Sequence, residues 1–506
     1  MTESRSKKFF YNTLFTALLQ VVNIITALIV PKFMLNFYGS EINGLVTSIT
    51  QFITYFNLVE AGLSHAAIYA LYKPLADKDD DRISSIVSAS KKFYTQAGFI
   101  FTGLTVVLAI AYPLYIHIDG LTPYMVALLV VALGSNGFLE FFTLAKYRVL
   151  LTADQKTYII SIASIVHIAL QTGIIAIMSY FRINIVIVRA VAVSAILLRS
   201  FILMLYCKLK YRNVNYKAEP DMTALNKRWD AMFLQILGAI HSGTTVILLT
   251  LIVKDLAIVS VYAIFNVVIS GLNNVLGIFN SGLAASFGEV IAKDEKDVLQ
   301  KSYKEFEVGF YSLITFIFSV ACVMILPFVT LYTKGITDAN YNMPILGFMM
   351  VLNGYLYHIK TPQGMLVISA GMYKETRWQT LTQGLISFVG GAILAFPMGI
   401  YGIMLASILS NLYRDIDLCF FTNKYITGLS PMNTIKNTAK SILQIALIIP
   451  PFFFIKLNTS TWLYWLLSAG LVSVYAGAVI FIIISIFDRP LLKSIFQRIK
   501  NIFKRG

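Results

Sequence analysis

Glu60 stands in an apolar run, with Asn57 three residues before it and Ser64 four after it. On a helix over 43–70 the three share one face. A carboxylate near the middle of a bilayer-length segment costs about 2.5–3.5 kcal/mol on insertion scales, so it must meet a neutralising neighbour or a polar cavity. Further polar stripes recur at helical spacing: Asn12, Thr16 and Asn23; Asp230, Gly238, His241 and Thr245; and Asn266, Ser270, Asn273, Gly277 and Asn280. Amides and hydroxyls in such stripes either tie helices together or line water. Four stripes on corresponding helices of two halves favour a shared water-filled cavity. Its candidate lining is Asn23, Asn57, Glu60, Ser64, His241, Thr245, Asn266, Ser270, Asn273 and Asn280. Glu60 and His241 are the titratable members and the candidate coupling residues, for H+ or Na+.

Other charges also fall inside apolar runs: Arg189 and Arg199, His358 and Lys360, and Arg414, Asp415 and Asp417. Arg414 and Asp417 are three apart and can neutralise one another. Lys360 precedes Thr361-Pro362, where the missing backbone donor breaks the helix and frees a carbonyl as a partner. Glu140 falls near an inner end, where headgroups or neighbouring lysines suffice to explain it. His167 reads as a packed side chain.

The elements that carry these residues are set by composition. Hydrophobic residues make up 57% of 506, charged residues 13%, and mean hydropathy is +0.73, values that belong to a chain dissolved in lipid. The expected fold class is all-α, a polytopic membrane protein of about fourteen transmembrane helices. The predicted spans are 9–31, 43–70, 93–116, 122–145, 157–180, 184–206, 231–253, 256–287, 306–332, 343–370, 379–398, 400–423, 439–456 and 462–487. A turn is expected at Asn36-Phe37-Tyr38-Gly39-Ser40. The basic N-terminus before the first apolar run reads as the flank of an uncleaved span.

Charge orients the spans. Of 41 basic residues, 32 fall in alternate connections and both termini, and only Lys32, Arg182, Lys254, Lys334 and Lys456 fall in the others. The positive-inside rule then puts both termini in the cytoplasm. The scatter of these residues explains the net charge of +16 without nucleic acid. The tail LLKSIFQRIKNIFKR, 491–505, reads as an amphipathic helix on anionic lipids. An offset of 220 residues aligns Ala61-Gly62-Leu63 with Ser281-Gly282-Leu283, Lys73 with Lys293 and Asp77 with Asp297. A duplicated six-helix unit follows: a lobe over 1–206, a cytoplasmic linker over 207–230, a second pseudo-symmetric lobe over 231–425, and two additional helices with the basic tail over 426–506.

Several chemistries lack their residues. Cys207, Cys322 and Cys419 sit in separate apolar segments, the five histidines form no ligand motif, and no phosphate-cradling loop is present. No metal, cofactor or nucleotide-driven step is expected. The longest outer connection, about 332–342, is too short for the catalytic loop of a membrane glycan-assembly enzyme, so no enzyme is expected.

The stretch VPKFMLNFYGSEINGLVTSITQFITYFNLVEAGLSHAAI resembles the opening of Wzx-type flippases, and ISAGMYKETRWQTLTQGLISFVGGAIL with GIYGIMLASILSNLYRD resembles their later part. The resemblance spans nearly the whole chain through diffuse apolar patterns. It implies the multidrug/oligosaccharidyl-lipid/polysaccharide exporter superfamily, with two six-helix lobes and alternating access. It also implies a substrate of undecaprenyl diphosphate bearing a sugar repeat unit, for bacterial capsule, O-antigen or teichoic-acid-like polymers, in the cytoplasmic membrane beside other polysaccharide-assembly proteins. Lys360, Arg189, Arg199 and Arg414 are then the candidate diphosphate-binding residues. The alternatives are a cation-coupled multidrug exporter of the same superfamily and a membrane-embedded glycan-assembly enzyme.

Overall fold

A computed structural model describes residues 5–60, 63–225 and 243–489, which are helical with no strand among them. Among the described residues ten helices are long and apolar enough to cross a membrane, which makes this an all-α polytopic membrane protein. Fourteen separate spans are not counted among the described residues, for local reasons. The first predicted span and the start of the second lie in one helix, Arg5–Phe56, broken at Gly39. Gly39 has φ 85° and ψ 174°, a conformation L side chains resist, and the expected turn shrinks to this single residue. Most of the seventh span, with Asp230, Gly238 and His241, lies outside the described residues, as does the tail 491–505. The tenth is split into Pro344–Ile359 and Thr361–Ser369. The twelfth, Ile400–Thr422, carries Arg414, Asp415 and Asp417 within its apolar run.

The continuous helix expected over 43–70 is corrected. The α-helix ends at Phe56, Asn57–Glu60 forms a tighter 3₁₀ turn, and the next helix is Leu63–Asp77. Asn57, Glu60 and Ser64 therefore do not follow one α-helical stripe. Asn57 is exposed, while Glu60 and Ser64 are half-buried.

Two compact units emerge, Met1–Val261 and Tyr262–Gly506, and the linker expected at 207–230 lies within the first. In the first unit, Arg5–Phe56 packs along Thr157–Tyr180, and Asp80–Tyr115 packs on Pro123–Leu139. Tyr94 and Phe101 are fully buried in its core. Ser48 Oγ lies 2.7 Å from Thr250 Oγ1 and accepts from the Tyr112 hydroxyl at 2.9 Å, and Asn43 Nδ2 donates to Ser260 Oγ at 2.8 Å. Asn12 ties rather than lines: its amide donates to the Gln155 carbonyl at 2.9 Å and accepts from the Tyr158 N–H at 2.8 Å.

One end of this unit is closed by a polar knot. Asp154, in the turn before Thr157–Tyr180, meets Lys8 at 2.9 Å, Lys156 at 2.6 Å and the Tyr211 hydroxyl at 2.5 Å. Burial alone would raise the Asp154 carboxyl, but hydrogen bonds from Lys156, Tyr211 and Lys8 hold it below the usual carboxylate range.

In the second unit, Lys296–Tyr332 is the hub, packed by Pro344–Ile359, Pro431–Ile448 and Trp462–Phe487. Glu307 on the hub is only 1% exposed, a costly position for a carboxylate unless donors surround it. They do: Tyr303 Oη, Gln363 Nε2 and Thr434 Oγ1 donate to Oε1 at 2.8, 3.0 and 2.7 Å, and Asn437 Nδ2 donates to Oε2 at 2.7 Å. Thr434 and Asn437 come from the first of the two late helices. Lys440 then reaches Asn437 Oδ1 at 3.2 Å and both Asp488 oxygens at 2.7 Å, fastening the end of the second.

Candidate functional site

Besides the Asp154 knot and the Glu307 cluster, each unit holds a further group of charged side chains among the candidate residues. In the first, Glu60 at the end of the 3₁₀ turn accepts two hydrogen bonds from Arg148 Nη2, at 2.9 and 3.0 Å. Arg148 Nη1 donates to Glu140 Oε1 at 2.7 Å, and Arg199 stands 3.9 Å from the same oxygen. Two guanidinium groups thus face two carboxylates. Bidentate geometry of this kind is directional as well as strong.

Sequence periodicity misses this cluster for a definite reason. Glu140 and Arg148 are eight residues apart, about 80° off a common face on a regular helix at 3.6 residues per turn. Residues Glu140–Leu144 form a π-helical turn, which takes up the extra residue and brings the two side chains into register. Glu140, for which headgroups or neighbouring lysines were expected to suffice, is held instead by Arg148. Around the cluster, Asn136 Oδ1, His167 Nε2 and Arg199 Nε are buried without a hydrogen-bond partner among the described residues.

In the second unit, the Pro344–Ile359 helix stops one residue short of Lys360, and Thr361–Ser369 begins just after it with Pro362 in its first turn. Proline lacks the N–H that the preceding turn would need, so the break falls there. The Lys360 ammonium does not take the freed carbonyl expected as its partner. It donates to Asn411 Oδ1 on Ile400–Thr422. Asn411 is fully buried and further fixed by Gln383 Nε2, which donates at 3.2 Å, and by Asn353 Oδ1, which accepts from Asn411 Nδ2 at 2.9 Å. Gly402 lets the helix carrying Asn411 approach its neighbour: a Cβ there would fall 2.0 Å from the Leu394 carbonyl oxygen. Arg414 is bonded to Asp417, as the spacing of three predicts. Asn273 lies 2.9 Å from His358 Nε2, which links one cavity-lining candidate to this region.

The remaining candidates differ in exposure. Asn23 is exposed, Thr245 is buried, and Asn266 and Ser270 are half-buried. The Asn280 side chain and His241 lie outside the described residues. Arg189 keeps a buried Nε without a hydrogen-bond partner among the described residues, near Tyr38. Asn353, Gln383 and Asn411 were missed, although Ser407, Ser410, Asn411 and Arg414 make a polar stripe at helical spacing, and all four are buried.

No family model matches the chain, and no curated protein matches it. Solved structures do. "Lipid II flippase MurJ, inward closed conformation" aligns with TM-score 0.67 at 12% identity, covering 95% of this chain and 99% of that one. The "Inward-facing conformation of a multidrug resistance MATE family transporter of the MOP superfamily" aligns with TM-score 0.66 at 13% identity, covering 80% and 95%. A "MATE in the bent conformation" gives 0.56 at 11%, covering 86% and 97%. At these identities the likeness is one of fold, and the chain is built on the helical membrane architecture that these flippase and exporter structures share.

Proposed function

We propose that this protein is a flippase that carries undecaprenyl-diphosphate-linked oligosaccharides across the cytoplasmic membrane by alternating access, for synthesis of a cell-surface polysaccharide. The observation that carries the choice of lipid over drug is coverage. The lipid II flippase structure accounts for 95% of this chain, whereas the inward-facing multidrug transporter accounts for 80%. The late helices at 431–487 are not loose appendages here, since the buried Glu307 holds the first of them. A structure that matches nearly the full length is therefore the better guide. Sugar hydroxyls call for amide and hydroxyl partners, and Asn266, Ser270 and Asn273 offer them along one helix. The diphosphate calls for a cation, and Lys360 offers one at a helix break. Both termini would be cytoplasmic, with the basic tail on anionic lipid. The neighbouring structures are flippases and transporters, in keeping with a non-enzymatic role.

The test is reconstitution of the full chain in liposomes with a labelled undecaprenyl-diphosphate oligosaccharide, read by accessibility of the sugar to an impermeant lectin. Movement to the far leaflet that depends on the protein is the expected result. Extrusion of cationic dyes without lipid movement would establish the multidrug reading instead. A covalently altered glycan would establish an enzyme.

A further inference from the structure

Asp415 lies one turn beyond Asn411 on the Ile400–Thr422 helix. Both of its carboxylate oxygens are shielded from solvent, and among the described residues no side chain donates a hydrogen bond to either; the backbone group that acts on it is the N–H of Lys360. Glu307 in the same unit has four side-chain donors at its carboxylate. Asp415 has no side-chain donor among the described residues. The cation that acts on it is Lys360, but that ammonium is hydrogen-bonded to Asn411. The neighbouring Arg414 is committed to Asp417. The other groups facing Asp415 are the phenols of Tyr311 on Lys296–Tyr332 and Tyr355 on Pro344–Ile359. His358, near Lys360, is held by Asn273.

An ionised carboxylate with no side-chain donor and no direct ion pair is among the most costly groups to bury, and a carboxylic acid in the same place is far cheaper. Asn411 and Asp415 are four residues apart, so their side chains lie about 5–6 Å from one another on the helix surface. Lys360 has a flexible four-carbon stem that spans such a distance. It also sits at the junction of two helices, where the chain is already interrupted.

We propose that Asp415 is a proton-binding site, loaded when the Lys360 ammonium is on Asn411 and unloaded when that ammonium moves to the Asp415 carboxylate. The step balances simply. The carboxyl O–H breaks, the proton passes to water on the side to which the site is open, and Lys360 remains an ammonium throughout. The ammonium occupies the neighbourhood a sodium ion would need, so the site selects the proton. If Lys360 also meets the substrate diphosphate, which rests on the function proposed above, the two anions compete for one cation. Arrival of the diphosphate draws Lys360 away, and Asp415 must then take up a proton.

Infrared difference spectroscopy of the purified full chain in nanodiscs tests the site without any transport. The wild type should show a protonated-carboxyl band that disappears reversibly as pH rises, and Asp415→Asn should lack it. Asp415→Glu, which keeps the carboxyl should the amide variant misfold, should retain the band at a shifted frequency. Lys360→Gln should preserve the band to higher pH. An unchanged pH-dependent band in Asp415→Asn overturns the proposal, as does Na+ replacing the proton in the wild type. In liposomes, translocation of the lipid-linked oligosaccharide should respond to an imposed pH gradient by up to about tenfold per unit, the limit for one coupled proton, and not to a Na+ gradient. Asp415→Asn should abolish that response. A band assigned to Asp415 in a protein that moves no oligosaccharide lipid would leave the proton site standing and remove the substrate reading.

Discussion

The two polar clusters solve the problem of charge among apolar helices in opposite ways. In the first unit the charges are closed on one another: Arg148 bridges Glu60 and Glu140, and Arg199 stands by the second carboxylate. In the second unit a lysine and an aspartate lie near each other, but the lysine side chain is bonded to an amide and, among the described residues, the aspartate to no side chain. A closed cluster is a brace, since each member costs several kcal/mol to strand. An open one can respond to a proton or an anionic ligand. The difference separates residues whose loss unfolds the protein from residues whose loss silences it.

The largest effect that would sharpen this contrast is expected at Arg148. Arg148→Gln strands Glu60 and leaves Glu140 only the more distant Arg199, and should cost about 3–5 kcal/mol, seen as a steep fall in the unfolding temperature in detergent and in membrane abundance. Arg148→Lys should recover part of that stability through its charge, but not the two-carboxylate fork. Normal stability of Arg148→Gln would break the comparison.

Removing the cation of the second cluster should instead leave abundance near normal, because Asn411 keeps Gln383 and Asn353 as partners. Lys360→Gln should lose translocation while still inserting, and Lys360→Arg should keep part of it. Complementation of a flippase-deficient strain, scored beside membrane abundance, measures both. Full complementation by Lys360→Gln would exclude an essential phosphate contact and turn attention to Arg189 and Arg199.

The smallest effect belongs to the knot at Asp154. Its carboxyl is held low when folded, so its stabilisation is present above the unfolded value of about 3.9 and is lost as pH falls through the lower folded value. Asp154→Asn should cost about 1–2 kcal/mol at neutral pH and flatten the acid limb of the stability curve. An acid limb identical to that of the wild type would show that other carboxylates dominate it.

Much of this molecule is legible in the order of its residues. Apolar runs of bilayer length specify helices whatever their neighbours, because in lipid each backbone N–H must find its carbonyl within the same segment. The break at Lys360 follows from Pro362, and the Arg414–Asp417 pair follows from a spacing of three. These are local facts, decided within a turn or two of chain.

Partners remote in sequence were decided by tertiary structure alone. Arg148 finds Glu60 across 88 residues, and only after a π turn has shifted its register. Glu307 is satisfied by donors 127 and 130 residues away, and Lys360 by an amide 51 residues away. Periodicity names the face on which a polar side chain lies, but not the helix that packs against that face. Whether a charge is braced or left open depends on that packing. Glu60 drew notice from sequence as an isolated carboxylate and proves to be held by an arginine. Asp415 stood beside an arginine in sequence, and among the described residues the fold gives its carboxylate no side-chain donor.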